Sequence, residues 1–218
     1  MTIRRRLACG LTISAALLWP LAGTAASAAA TTYTPLPGHV YAPYYETYLA
    51  PNTASIAHTA TASGAKYFTL AFLQTPKKGS CALDWNGNAA QPLSYYAADI
   101  AALRRAGGDV IPSFGGFSAD QGGTEIADSC KDVSQIAADY ESVITTLGVT
   151  RLDMDVEAKS LNNTAGVDRR NKAIAMTEAW AASQGIPLQI QYTLPVDSTG
   201  LTRTARPSCR TPPPTGPP

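Results

Sequence analysis

The chain has 218 residues, with 17 Lys and Arg against 16 Asp and Glu, a formal net charge of +1. The basic residues are spread unevenly. Residues 29–200 hold eleven Lys and Arg and all sixteen acids, a charge of −5, so no basic stripe is available for a phosphate backbone and the balance argues against nucleic acid as a partner. Two histidines and no CxxC pair are too few for a common zinc site, and neither a metal nor a cofactor is expected.

The first 28 residues read as a secretory signal peptide. Arg4, Arg5 and Arg6 precede a largely apolar run from Leu7 to Leu21, and Ala26-Ser27-Ala28 is a small-residue cleavage site. An uncleaved membrane anchor is the alternative. Cys9 stands at the start of the apolar run, where a lipoprotein would need it at the end. No later stretch is apolar enough for a span, so the expectation is a secreted, extracellular protein without stable membrane anchoring. About 190 residues remain, which suits a single domain. Residues 29–37 read as the flexible N-terminus of the mature chain.

Five β-rich runs then alternate with helical stretches. The first run is His39 to Tyr45, followed by a weak helix around Ser55 to Ser63. The second is Lys66 to Leu73, followed by a long loop through Cys81, Trp85 and Asn88. A helix from about Tyr95 to Ala106 ends at Gly107-Gly108. The third run, Asp109 to Ser113, opens into Phe114-Gly115-Gly116 and another polar loop. Val133, Ile136, Ala137, Tyr140, Val143, Ile144 and Leu147 recur at helical spacing, with Gly148 as the C-cap. The fourth run is Val149 to Val156. A helix from about Val167 to Ser183 separates it from the fifth, Ile186 to Leu194.

Such βα alternation predicts an α/β fold with a parallel sheet, either an open doubly wound sheet or a (β/α) barrel. A GxGxxG turn after the first run would favour the dinucleotide-binding open sheet, but Pro43-Tyr44-Tyr45-Glu46 stands there. In an exported chain Cys81 and Cys130 are the pair expected to form a disulfide, tying the loop after the second run to the loop after the third; two free thiols are the alternative.

The fourth run carries the most information. Alternate side chains of a strand face opposite sides, so Leu152, Met154 and Val156 share one face while Asp153, Asp155 and Glu157 share the other. Three acids together must be offset by hydrogen bonds, a cation or shared protons. An exposed edge strand and a metal cluster are two readings. Acid–base chemistry at the C-terminal end of a barrel strand is the third, and like charges close together raise a carboxyl pKa as that chemistry requires.

The segment Thr150-x-x-Asp153-x-Asp155-x-Glu157 resembles the D-x-x-D-x-D-x-E signature of glycoside hydrolase family 18, and Ser113-Phe114-Gly115-Gly116 resembles that family's S-x-G-G motif on the preceding barrel strand. The resemblance spans roughly residues 38–200 and is nearest to secreted bacterial chitinase-like proteins. It implies a (β/α)8 TIM barrel, of which about the first five βα units can be counted here. Glu157 would then be the general acid, Asp155 would steer the substrate's 2-acetamido group in a substrate-assisted retaining mechanism, and Asp153 would hold Asp155. Ser113, Gly115 and Gly116 would be structural.

The implied partner is an N-acetylglucosamine-containing polysaccharide or glycan. Thr150 replaces the family's first Asp and Arg151 a usual Gly, and a non-catalytic chitin- or glycan-binding protein of the same fold is the alternative. Tyr44, Tyr45, Trp85 and Tyr192 lie at strand ends or in βα loops, where sugar rings could stack on them. From Leu201 to Pro218 the composition changes to six prolines and three arginines with no acid. That stretch is expected to be disordered, as a shifted reading frame or false gene end would leave it, with a catalytically impaired domain in front; a naturally shortened binding protein is the rival account.

Overall fold

The computed structural model describes residues 33–52 and 55–209; the expected signal segment lies outside them. β1 (Tyr44–Glu46) leads through a 3-10 turn toward α1 (Ile56–Ser63), and β2 (Tyr67–Gln74) is followed by the short β3 (Asp84–Trp85) and α2 (Ala97–Arg105). β4 (Asp109–Gly115) precedes α3 (Phe117–Gly122), α4 (Ile126–Ser129) and α5 (Val133–Leu147). β5 (Arg151–Asp155) precedes α6 (Ala158–Asn162) and α7 (Thr164–Ser183), and β6 (Gln189–Thr193) is followed by the hairpin of β7 (Val196–Asp197) and β8 (Gly200–Leu201).

The five expected runs appear as β1, β2, β4, β5 and β6, hydrogen-bonded in that order and all parallel. A doubly wound sheet would reverse its order at a switch point; this one follows the chain from end to end, as successive βα units of a barrel do. The sheet is not closed among the described residues, and β1 and β6 form its two edges. It is nevertheless strongly curved. Flat, four inter-strand steps would separate β1 from β6 by about 19 Å. Yet the Tyr44 hydroxyl on β1 lies 2.8 Å from Thr193 Oγ1 on β6.

Local chemistry sets the elements. Along α5, Ile136, Tyr140, Val143, Ile144 and Leu147 recur on one buried face. Asp132 caps it by accepting the amides of Ser134 and Gln135, and Gly148 closes it in the left-handed region. That face meets the outward side of the sheet, where Leu152, Met154 and Phe114 are fully or almost fully buried and Phe114 packs edge-on against Tyr140. β1 is shorter than the expected run, because residues 39–43 form no ladder. Pro43 has no amide to donate and contributes only its carbonyl, to the amide of Thr69.

Two expectations at the ends are corrected. Residues 33–37 were expected to be flexible, but Leu36 is buried, and the Thr34 and Pro37 carbonyls accept from Thr150 and Arg151. The expected disorder from Leu201 does not hold for residues 201–209, which complete the β7–β8 hairpin and form a 3-10 turn, with Ala205 and Ser208 buried. Composition missed this because the segment packs against the rest of the fold rather than through its own periodicity. Residues 210–218 lie outside the described residues.

No helix among the described residues is long and apolar enough to cross a membrane. Cys81 and Cys130 form the expected disulfide, with Cα atoms 4.7 Å apart. It closes a loop with a sequence separation of 49, so its main effect is on the unfolded chain. Replacing both cysteines by serine is expected to lower stability by roughly 2–4 kcal/mol. Denaturant unfolding of the variant checks this, with a smaller midpoint and an unchanged far-ultraviolet spectrum as the expected result.

Candidate active site

β5 is central in the sheet, with β4 on one side and β6 on the other. Alternation therefore has consequences on both faces. Leu152, Met154 and Val156 point into the helix layer and are at most 1 % exposed. Asp153 and Asp155 point to the concave side, and Glu157 follows at the C-terminal end of the strand, half-buried.

Asp153 is fully buried and accepts from every direction. Its Oδ2 accepts the Ser113 hydroxyl at 2.7 Å and the Tyr44 hydroxyl at 3.1 Å. Its Oδ1 accepts the Gln191 side-chain amide at 3.1 Å and the Thr193 hydroxyl at 3.2 Å. β1, β4 and β6 thus each send a donor to one carboxylate, the arrangement that makes a buried negative charge tolerable. The same environment raises the Tyr44 phenol above its usual range, through burial first and the Asp153 charge second.

Asp155, one step nearer the rim, is treated differently. It is 8 % exposed, and its Oδ1 has no hydrogen-bond partner among the described residues. Burial, followed by the charges of Asp153 and Glu157, pushes its carboxyl up to about 7. Adjacent same-face acids are therefore treated differently: one is surrounded by donors, the other is left to carry a proton near neutrality.

The glycines of the S-x-G-G motif allow this approach. Gly115 pairs with Asp155, and a Cβ at Gly115 would stand 2.2 Å from the Asp155 carbonyl oxygen. A Cβ at Gly116 would stand 2.7 Å from the Phe72 ring, and both glycines have positive φ. Beyond the strand the backbone is strained: Glu157 is extended, and Ala158, with φ 44°, occupies the left-handed region, at a cost of about 1–2 kcal/mol for a non-glycine residue. Its neighbour's amide is held from outside, since Glu157 N–H donates to Asp120 on α3.

Three aromatic expectations are corrected. Trp85 is fully buried, with its indole N–H donating to the Leu93 carbonyl and its ring edge-on to Tyr96. Tyr45 is 7 % exposed and belongs to the hydrophobic core, because it alternates with Tyr44 on β1. Tyr192 pairs in register with Met154 and so shares its outward face, where its hydroxyl donates to Asn171 on α7. Of the four aromatics only Tyr44 reaches the acid face, with 43 % of its surface exposed.

Sequence reasoning missed Gln191, Thr193 and Asp120. The signal for the first two was present: alternate polar positions on the fifth run share parity with the Asp153 face through the β5–β6 register. Asp120 lies in a polar stretch with no period, and only the fold brings it beneath Glu157. Thr150, where the first acid of the signature would stand, donates its hydroxyl to the Thr34 carbonyl. No group of three or more His, Cys, Asp or Glu among the described residues is arranged to hold a metal.

No protein-family profile matches the chain. It is 35 % identical over 170 residues to a "Probable bifunctional chitinase/lysozyme" of Escherichia coli (strain K12), covering 76 % of this chain and 18 % of that protein. It is 34 % identical over 170 residues to "Endochitinase 11" of Metarhizium anisopliae, covering 76 % of this chain and 30 % of that one. The chain therefore spans less than a third of the length of these curated relatives. Among solved structures, the catalytic domain of a hyperthermophilic chitinase from Pyrococcus furiosus superposes with a TM-score of 0.63 at 30 % identity, covering 78 % of this chain and 51 % of that one.

The Asp155 environment gives a pH dependence of stability. Its folded-state value of about 7 lies above the ordinary carboxylate value, so the folded chain binds the proton more tightly. This contribution is fully present below the unfolded value and is lost as pH rises through about 7. Asp155→Asn cannot ionise, so its thermal midpoint relative to the parent is expected to rise as pH moves from acidic to mildly alkaline. Parallel thermal unfolding curves for the two proteins across that range provide the check, and a constant difference would contradict the assignment.

Proposed function

We propose that this chain, which belongs to the chitinase-like proteins of glycoside hydrolase family 18, carries the acid–base machinery for hydrolysing β-1,4-linked N-acetylglucosamine polymers with retention. The carrying observation is the pair Asp153 and Asp155. One carboxylate is saturated with donors, and its neighbour is pushed up to about 7 with a bare Oδ1. The related chitinases supply the substrate class.

The chemistry follows from those positions. Glu157 donates its proton to the glycosidic oxygen as the bond from that oxygen to the anomeric carbon breaks. The acetamido carbonyl oxygen of the same sugar forms the new bond to the anomeric carbon, giving a cyclic oxazolinium ion. Asp155 accepts from the acetamido N–H, which turns the carbonyl toward the reacting carbon and stabilises the positive charge that develops there. Asp153 holds Asp155 in place from behind, and its charge adds to burial in opposing the ionisation of Asp155. Water then attacks the anomeric carbon and gives its proton to the Glu157 carboxylate. The oxazolinium bond breaks and the acetamide is restored. Two inversions leave the configuration unchanged.

Tyr44 lies at the edge of this face, its hydroxyl on Asp153 and part of its ring in solvent, where a sugar ring can pack. Export is part of the same proposal. The basic, then apolar, then small-residue order of residues 1–28 supports it, and so does a disulfide, which persists in oxidising compartments.

Release of reducing ends from colloidal chitin by the purified chain is the test. Glu157→Gln is expected to lower that release by roughly 100- to 10,000-fold while leaving retention on chitin intact. Turnover by the variant at the parent's rate would overturn the general-acid role. Retention by the parent without any release would favour the glycan-binding alternative.

A further inference from the structure

Beneath Glu157 lies a second cluster of ionisable groups that the proposed reaction does not use. Asp120, on α3, is 1 % exposed. One of its oxygens accepts the backbone N–H of Glu157, and the other accepts the Ser160 hydroxyl of α6 at 2.8 Å. The same Ser160 hydroxyl also meets the Asp128 carboxylate of α4. Asp128 accepts the Asn163 side chain at 2.8 Å and lies 3.9 Å from the buried Arg170 of α7, whose guanidinium is 2.6 Å from Glu125.

We propose that Asp120 is the positioning residue for Glu157, fixing the strained turn into α6 through the Glu157 amide and through Ser160. The inference rests on the reading of Glu157 as the general acid. Two independent features carry it. Ala158 sits in the left-handed region immediately after Glu157, a conformation that persists only where the surroundings impose it, and Asp120 supplies the contact at that amide. In addition, Asp120 grips both ends of the first turn of α6, at Glu157 and at Ser160, so one carboxyl sets where the strand stops and how the helix leaves it.

The hydrogen count then makes the grip sensitive to pH. Ser160 has one hydroxyl hydrogen and two carboxyl neighbours, so it can donate to only one of them. The arrangement is complete when the other carboxyl carries a proton and donates to the Ser160 oxygen. Asp120 is pushed up to about 7, by burial first, with Glu125 adding to the rise and Ser160, the Glu157 amide and Arg170 opposing it; Asp128 is raised as well, by burial and then Glu125. Lys78 and Lys159 border the same cleft from the solvent side. Above the titration, two ionised carboxylates face one hydroxyl, so the hold on α6 through Ser160 loosens while the Glu157 amide donates to a full negative charge.

Asparagine at position 120 mimics the protonated acid. Its carbonyl accepts from Glu157, and its amide donates to Ser160, which is then free to donate to Asp128. The test follows the Glu157 backbone amide by nuclear magnetic resonance in the full chain carrying Asp155→Asn, which removes a second carboxyl pushed up to about 7. As pH is raised through about 7 the amide is expected to move downfield as its acceptor becomes a carboxylate, and adding Asp120→Asn is expected to abolish that movement while keeping the high-field position. An amide that does not respond to pH, or the same response with Asn at position 120, would overturn the proposal. This readout needs no turnover, so its failure is separable from failure of the chitinase reading.

A kinetic arm uses chitotetraose with Asp155 restored. Asp120→Ala is expected to lower kcat by roughly 100-fold with KM unchanged, and Asp120→Asn to recover most of that loss. Equal damage by both substitutions would contradict the positioning role. Should Asp120→Ala fail to fold, the Asp120→Asn amide titration decides alone.

Discussion

The carboxylate of Asp153 sits where four donors from three strands converge, three of them from the opposite edges of the open sheet. An isolated carboxylate cannot be buried at acceptable cost, whereas each hydrogen bond to a charged group contributes roughly 1.5–3 kcal/mol. Those donors reach a common point only if the sheet curves until β1 and β6 approach each other over the concave face. Curvature, the polar interior and the placement of Tyr44 are therefore parts of one solution to one buried charge. The next acid on the same face inherits the consequence. Asp155 is desolvated and faces that charge with no donor to its Oδ1 among the described residues, so it holds its proton to about 7.

A second network works by different means. Glu125 caps α4 by accepting the amides of Ala127 and Asp128, and it binds the fully buried Arg170 of α7. Gly166 makes room at the start of α7: a Cβ there would stand 2.1 Å from the Asp128 carboxylate. A buried ion pair of this kind is weak evidence of stability, because desolvation offsets the attraction. It specifies how α4, α6 and α7 dock, and through Asp120 that docking reaches the residue after the acid strand. The Asp153 network governs charge on the concave face; the Asp120 network governs geometry at its rim.

The sequence made the first network largely legible and the second hardly at all. Period-two alternation from Arg151 to Glu157 separates the acids from Leu152, Met154 and Val156 without any knowledge of the fold, and the Ser113 and glycine motif marks the neighbouring strand. Alternation also held the answer for Tyr192, which shares parity with Ile190 and Leu194, but aromatic rings at strand ends read equally as sugar platforms; Tyr45 shares parity with His39, Tyr41 and Pro43, and its pairing with Leu70 of β2 is what marks it as core. Trp85 needed the unforeseen antiparallel pairing of β3 with β2 to be recognised as core. Asp120 and Asp128 lie in a stretch of short helices without period. Their meaning comes from packing against α6 and α7, a long-range property that no local pattern records. Residues 201–209 illustrate the same point, since the proline- and arginine-rich composition from Leu201 onward suggests disorder until Ala205 is found buried.

The account stands on unequal treatment of two neighbouring acids, so the most direct measurement is the titration of the Asp155 side-chain carboxyl by carbon-13 nuclear magnetic resonance in the purified chain. A midpoint of about 7 is the result it predicts. A midpoint in the ordinary carboxylate range near 4 would contradict it, because Asp155 would then be solvated or supplied with donors and the concave face would not be the desolvated acid pair described.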